Sequence, residues 1–132
     1  MKKLLMLTEI VCSVVLSPVA HAEWTKVTED KNGTTFYVDL ERIRKHKGKV
    51  YYWQIQDRKE LSKISGDLSN KAYLEVECGP FRQRTLSLSS YANSMAEGTK
   101  LKGVEAFSER WFYPPPNSPV ETVLKVVCNH KP

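Results

Sequence analysis

The stretch SPVETVLKVVC, residues 118–128, is the clearest helix in the chain and decides how the fold ends. Ser118 is a suitable N-cap, Pro119 suits the first helical position, and Glu121 completes a capping box three residues after the cap. Apolar residues recur at helical spacing along one stripe, made of Val120, Val123, Leu124, Val127 and Cys128. Cys128 is therefore expected on the side of the helix that faces the core.

A second stretch, KAYLEVEC at residues 71–78, alternates as a half-buried strand does. Alternate positions define an apolar face of Ala72, Leu74, Val76 and Cys78 and an opposite face of Tyr73, Glu75 and Glu77. Two different periodicities thus each place a cysteine on a buried face, so we expect a disulfide from Cys78 on the strand to Cys128 on the helix. A metal-binding or reactive thiol pair is disfavoured, because no CxxC spacing exists and no histidine lies near Cys78.

The residues that precede this strand, from position 24 onwards, predict further antiparallel strands joined by tight turns. Strands at 24–28 and 34–40 flank Lys31-Asn32-Gly33, where Asn-Gly supplies the positive backbone angles of a hairpin. A helical turn capped by Asp39 is expected over 40–45. A further strand is expected at 50–56 and contains the aromatic residues Tyr51, Tyr52 and Trp53. Because successive side chains of a strand point to opposite faces, at least one of these three should lie outside the core.

Two more strands are predicted, at 81–91 and 106–113, and a long loop is expected over 57–70. In the first of them, Leu86 and Leu88 should share a face with Arg82 and Arg84. Prolines 114–116 end the second, because proline supplies no ladder donor. Together the elements predict an α+β domain: an antiparallel sheet of about six strands, a C-terminal helix packed on one face, and one disulfide.

Residues 1–22 have the three parts of a secretory signal: a basic head, an apolar run and a small-residue end that closes on Ala22. Cleavage there would leave 23–132 as a single domain. The apolar run is too short to span about 30 Å of hydrocarbon, so a transmembrane anchor is not expected. Cys12 lacks the flanking residues of a lipid-accepting cysteine, so no lipid anchor is expected, and its loss leaves an even number of cysteines in an oxidising compartment.

Charge and motif content argue against an enzyme and against nucleic-acid binding. The net charge is +5, a mild bias that helps capture acidic polymers but does not indicate nucleic acid as a partner. Besides the signal region, the histidines are His46 in a basic turn and His130 near the C-terminus, and neither is placed as a buried base. Glu75 and Glu77 share a strand face, for which solvation is favoured over a glycosidase pair. We expect no catalytic residue, no metal and no cofactor.

Two groups of basic residues are the candidate ligand-binding sites. The denser run comprises Arg42, Arg44, Lys45, His46, Lys47 and Lys49. Arg82 and Arg84 form a second, weaker stripe. Such groups can bind sulfated glycans, lipid phosphates or acidic protein segments, but basic residues in turns also serve simply to prevent aggregation at sheet edges.

The assembled pattern resembles the surface-adhesin protein E family of Gram-negative bacteria. The matching pieces follow in order over most of 23–132: Trp24, DKNGTTFYVDLERIRK, VYYWQIQD, YLEVECGPFRQRTLSLSSY and WFYPPPNSPVETVLKVVCN. The resemblance implies an antiparallel sheet and a C-terminal helix tied by a disulfide, here Cys78 to Cys128. It also implies an envelope adhesin that binds host matrix components such as vitronectin and laminin and can dimerise.

These observations predict an exported, non-enzymatic binding module of the cell envelope, periplasmic or displayed at the cell surface and not lipid-anchored. Its expected partners are host matrix proteins or acidic polysaccharides, with a homodimer as a further expectation from the resemblance, and no nucleic acid is expected. The alternative is a soluble periplasmic structural or accessory protein without a host ligand. Fold transfers between relatives more safely than function does, so the two functions stay open at this point.

Overall fold

The computed structural model describes residues 23–101 and 109–131. The predicted signal peptide at 1–22 lies outside the described residues, as do the first three residues of the predicted strand at 106–113. The described elements, in chain order, are β1 (Thr25–Glu29), β2 (Thr35–Val38), β3 (Arg44–His46), β4 (Lys49–Asp57), β5 (Ser69–Glu77), β6 (Arg82–Tyr91) and α1 (Pro119–Asn129). Two short 3₁₀ turns, Leu40–Arg42 and Ser94–Ala96, complete the set.

The six strands form one antiparallel sheet in the order β1-β2-β4-β5-β6, with β3 paired to the first part of β4. Helix α1 covers one face of the sheet, which we call the inner face; we call the opposite face the outer face. The core between helix and sheet is made of Phe36, Val38, Val50, Tyr52, Ala72, Leu74, Val76, Val123, Leu124 and Val127. This architecture confirms the predicted α+β fold.

The first hairpin is present as predicted, but its turn is built differently. Gly33 has a positive φ of 82°, whereas Asn32 is not among the residues with a left-handed backbone. The turn is held instead by Asp30, whose Oδ1 accepts hydrogen bonds from the amides of Asn32 at 2.8 Å and Thr34 at 2.9 Å. Aspartate commonly organises turns in this way, so the Asn-Gly pair is not the sole cause of the hairpin.

The predicted helical turn over 40–45 is wrong beyond Arg42. The 3₁₀ turn ends there, and Asp39 makes no side-chain capping hydrogen bond. The next residues form β3, because Lys47 and Gly48 have φ values of 51° and 77° and so make a two-residue hairpin turn into β4. With β3, the sheet has six strands among the described residues.

The predicted strand at 106–113 is described only over its last five residues. There Phe112 forms an isolated bridge with Gln83, with N···O distances of 2.7 Å and 2.9 Å, and no longer strand is assigned over 109–113. The segment therefore joins the sheet through one residue beside the start of β6.

Strand β6 contains a bulge that corrects the predicted alignment of its side chains. The register shifts between Tyr73 and Leu74 of β5, so that Arg84 opposes Glu75 whereas Leu88 opposes Ala72. One extra residue in a strand reverses the alternation that follows it. Leu88 consequently packs against the core, and the prediction that it shares a face with Arg84 is wrong.

Helix α1 and the disulfide are confirmed. The Ser118 hydroxyl accepts a hydrogen bond from the Glu121 amide at 3.2 Å, and Pro119 is the first helical residue. Cys78, directly after β5, is bonded to Cys128 with a Cα–Cα distance of 5.8 Å. The bridge attaches the last turn of the helix to the end of β5. No helix among the described residues is long and apolar enough to cross a membrane.

Candidate ligand-binding face

The outer face of the sheet carries a row of aromatic rings. Along β4, Tyr52 is fully buried on the inner face, while Tyr51 and Trp53 are half-buried on the outer face. Tyr73 of β5 stands between them, with its ring centroid 6.1 Å from Tyr51 and 4.7 Å from Trp53. The prediction that at least one aromatic residue of this strand lies outside the core is therefore confirmed.

Tyr52, by contrast, lies in the core and contacts Gln83 of the edge strand β6. Its hydroxyl donates a hydrogen bond to Gln83 Oε1 at 2.8 Å. Burial raises the pKa of the Tyr52 hydroxyl, so it stays a neutral donor throughout the physiological range. Gln83 is the residue that also bridges Phe112, and the inner-face contact therefore helps to place the segment that carries Trp111.

Glu75 lies at the centre of the outer face and is only 4% exposed. Its Oε1 is 3.0 Å from Lys49 Nζ and 3.0 Å from Arg84 Nη2. The expectation that Glu75 and Glu77 form a solvated strand face is wrong for Glu75, because these two cations and the neighbouring rings cover it. Buried carboxylates are retained only when they are paired in this way.

The two arginines of the second basic stripe, Arg82 and Arg84, both pack against the ring of Trp111. The guanidinium carbons of Arg82 and Arg84 lie 4.2 Å and 4.6 Å from its ring, and Lys49 Nζ lies 5.8 Å away. Cations attract the face of an indole ring within about 6 Å. We call Lys49, Arg82, Arg84, Trp111 and Tyr113 the cationic-aromatic surface.

Arg82 is fixed on this surface by partners on both sides. Its Nη1 donates to the Tyr113 hydroxyl at 3.1 Å, and its Nη2 lies 3.1 Å from Glu77 Oε2. The hydrogen bond to Tyr113, followed by the pairing with Glu77, holds the pKa of the Arg82 guanidinium above its ordinary value, although burial opposes this. Each guanidinium has five N–H donors, so these contacts leave donors for a ligand.

The residues of the dense basic run, Arg42 to Lys49, lie on different parts of the fold. Arg44 is opposite Tyr51 and His46 is opposite Lys49 across the β3–β4 pair. Residues directly opposite each other share a face of the sheet, so these four side chains belong to the outer face. Arg44 and His46 thus extend the outer face beyond Lys49, which itself belongs to the cationic-aromatic surface.

The other members of the run lie elsewhere. Lys45 is opposite Val50 and lines a small cleft beside the disulfide, on the inner side of the sheet. Lys47 is exposed in the hairpin turn. Arg42 lies in the first 3₁₀ turn, with its Nε 3.4 Å from Asp39 Oδ2. The side chains of the run therefore do not share one face of the sheet.

Trp111, Tyr113 and Glu75 were not predicted as site residues. Trp111 and Tyr113 come just before three prolines, a pattern that indicates an extended segment but not the strand that it meets. Their contact with β6 spans about thirty residues of chain, and it becomes visible in the structure through the Phe112–Gln83 bridge and the contacts of Arg82 with Trp111 and Tyr113. Among the described residues, no cluster of three or more His, Cys, Asp or Glu side chains suits a metal ion.

Replacing Glu75 with glutamine is expected to lower the free energy of unfolding by about 1–2 kcal/mol. The change keeps the side-chain shape but leaves Lys49 and Arg84 close together without a counter-charge; both reach water in part, which keeps the cost below that of a fully buried pair. Urea unfolding followed by tryptophan fluorescence measures the difference.

Glu77→Gln is the matched control, because Glu77 pairs with Arg82 and is more exposed than Glu75. It should cost less than about 1 kcal/mol. Equal losses for the two variants would contradict the central role assigned to Glu75.

Comparison with known proteins gives one family and one fold. The sequence profile of the family described as surface-adhesin protein E matches residues 24–129. Crystal form II of Haemophilus influenzae protein E has a similar structure, with a TM-score of 0.64 and 11% identity over 82% of this chain and 88% of that one. No curated protein matches the chain significantly in sequence.

Two further solved structures support the same fold. The selenomethionine form of Haemophilus influenzae protein E has a TM-score of 0.60 and 15% identity, covering 83% of this chain and 89% of that one. Protein E from non-typeable Haemophilus influenzae has a TM-score of 0.51 and 12% identity, covering 86% and 81%. At such low identity these structures show a shared fold and nothing more specific.

Proposed function

Because this chain belongs to the surface-adhesin protein E family, we propose that it is an exported, non-enzymatic binding module of the cell envelope that recognises an acidic macromolecule. The observation that carries the proposal is the cationic-aromatic surface, where two arginines and a lysine surround Trp111 on a partly exposed sheet face. Host matrix proteins and acidic glycans are the proposed partners.

The chemistry of this surface suits sulfate and carboxylate groups. Arginine presents a planar fork of donors that matches such groups, and stacking on an indole ring holds the fork in place before the ligand arrives. Less side-chain freedom is then lost on binding, which favours affinity. Glu75 and Glu77 neutralise part of the charge, so the surface is expected to select ligands of high charge density over weakly acidic ones.

The test is binding of heparin to purified residues 23–132, measured by calorimetry and by the salt concentration that elutes the protein from heparin resin. The wild-type protein should bind at low salt, and binding should weaken as salt screens the charges. The double variant Arg82→Gln/Arg84→Gln should bind at least about tenfold more weakly, because it loses two charge-assisted contacts.

Lys45→Gln/Lys47→Gln is the matched control, since it removes the same charge from residues outside the cationic-aromatic surface. It should weaken binding by no more than about threefold, an effect of net charge alone. Equal losses of heparin affinity in the two double variants would show that the cationic-aromatic surface is not the binding site. No heparin binding by the wild-type protein at low salt would contradict the proposed function. Immobilised vitronectin and laminin, tested with the same variants, distinguish protein partners from glycans.

The alternative, a periplasmic accessory protein without a host ligand, predicts a different location in the cell. Surface display makes the protein accessible to added protease on intact cells, whereas a periplasmic protein is released only by osmotic shock. Intact mass of the released protein also tests the proposed cleavage after Ala22, which gives a chain that begins at Glu23 and carries no lipid. Sedimentation of the same sample tests the proposed homodimer.

A further inference from the structure

A cavity of about 200 Å³ opens on the outer face, further along β4 than the cationic-aromatic surface. It lies between the two 3₁₀ turns, and its main lining residues are Trp24, Trp53, Ile55, Asp39, Arg42 and Lys71. This volume is below the range of about 300–1,000 Å³ that drug-sized ligands occupy, so the cavity suits a single small ring.

The apolar part of the cavity is lined by two tryptophans and Ile55. Ile55 is fully buried. Trp53 packs against Tyr73, at a centroid distance of 4.7 Å and an interplanar angle of 30°. The electron-rich face of an indole attracts the weakly positive C–H groups of a saturated ring such as a pyranose. Trp24 supplies a second indole to the same cavity.

The polar part of the cavity contains the carboxylate of Asp39, one oxygen of which has no hydrogen-bond donor among the described residues. Asp39 is 1% exposed, and its Oδ2 accepts no hydrogen bond from the part of the chain that the structure describes. Arg42 Nε lies 3.4 Å away without the alignment of a hydrogen bond, and the Arg42 side chain is 55% exposed. A buried oxygen without a donor is costly and is rarely left unexplained in a native protein.

The two cations at the cavity restrict what can donate to Asp39. An ammonium group placed on Oδ2 would lie against Arg42, which repels it, whereas a neutral hydroxyl group meets no such repulsion. Lys71 is held 5.6 Å from the Trp53 ring and 6.0 Å from the Tyr91 ring. Arg42 and Lys71 together favour a negative group on a molecule bound in the cavity.

One wall of the cavity is held in a strained conformation. Met95 and Ala96, neither of which is glycine, both have a left-handed φ of 57°. Their amides donate to Asp57 Oδ1 at 3.1 Å and to Ser69 Oγ at 2.8 Å, and the Ser94 hydroxyl donates to Asp57 Oδ2 at 2.6 Å. Strain that is maintained by its surroundings concentrates at binding sites, where it shapes the site in advance.

From these contacts we propose that the cavity binds one carboxylated pyranose, such as a uronic acid residue at the end of a glycan. The apolar face of the sugar ring stacks on the two indoles, a hydroxyl group donates to Asp39, and the carboxylate is held by Arg42 and Lys71. The site is separate from the cationic-aromatic surface, and neither proposal depends on the other.

The three tryptophans of the chain provide the test. D-glucuronate is titrated into ¹⁵N-labelled residues 23–132, and the indole N–H signals are followed by NMR up to about 100 mM, a range that detects millimolar affinity. The signals of Trp24 and Trp53 should shift and saturate together, while that of Trp111 should stay in place. Glucose and benzoate should each bind at least about tenfold more weakly, because each lacks one of the required groups.

Absence of a saturable shift at Trp24 and Trp53, an equal shift at Trp111, or equal binding of glucose or benzoate would each overturn the proposal. Arg42→Gln should reduce the preference for glucuronate over glucose to less than about threefold. Lys63→Gln, which removes the same charge from an exposed loop, should keep the preference. Retained preference in Arg42→Gln would show that Arg42 does not hold the carboxylate.

Discussion

Loss of the Cys78–Cys128 disulfide is expected to lower the free energy of unfolding by about 4 kcal/mol. The two residues are separated by 50 positions, and opening a loop of this length restores that much conformational freedom to the unfolded chain in the entropic description of crosslinks. A single domain of this size is stable by about 5–15 kcal/mol in total. The bridge is therefore expected to supply a large part of the stability.

Urea unfolding of the wild-type protein with and without dithiothreitol measures this effect, and the double variant Cys78→Ala/Cys128→Ala provides its control. The double variant should match the reduced wild-type protein to within about 1 kcal/mol and should not respond to dithiothreitol. A loss below about 1 kcal/mol on reduction would show that loop closure contributes little here. Sensitivity of the double variant to dithiothreitol would show that the reagent acts elsewhere.

Leu124→Ala is expected to cost about 3 kcal/mol, the second large effect. Leu124 is fully buried, and with Val123 and Val127 it belongs to the core cluster between the helix and the inner face of the sheet. Truncating a buried leucine removes its transfer free energy and leaves a cavity, for a total of about 2–5 kcal/mol. Because α1 contacts β1, β2 and β4, the change weakens the packing of the whole helix on the sheet.

The measurement is again the urea midpoint, which should fall without a change in the denaturant slope. Lys125→Ala is the matched control on the same helix. Lys125 is exposed and its pairing with Glu121 at 3.2 Å links residues four apart, a contact worth about 0.3–0.5 kcal/mol. If the two variants lost similar stability, the helix would not be packed through Leu124 as described.

Prediction from sequence succeeded where a side-chain pattern is local and regular. The capping box at Ser118 and the apolar stripe of α1 depend on neighbours within a few residues, and the helix begins at Pro119 as expected. The alternation of residues 71–78 also held, with Ala72, Leu74 and Val76 all buried. The same patterns placed both cysteines correctly, so the disulfide was predictable as well.

Prediction failed where a single residue shifts a pattern or where a turn competes with a helix. The bulge in β6 places Leu88 and Arg84 on opposite faces of the sheet, and no property of the residues themselves marks its position. Because the chain makes a hairpin turn at Lys47-Gly48, Arg44–His46 pair with β4 as a strand, whereas a helical turn was predicted over 40–45. Backbone pairing with a neighbouring strand outweighs a weak local preference in such cases.

The sequence by itself determined the type of fold, the paired cysteines and the basic character of the chain, because these follow from local periodicity and from counting. Only the tertiary structure decided which charges act together. It separated the run from Arg42 to Lys49, joined Arg82 and Arg84 on Trp111, and buried Glu75 between two cations. Such groupings arise from contacts between residues distant in the chain, which side-chain periodicity does not encode.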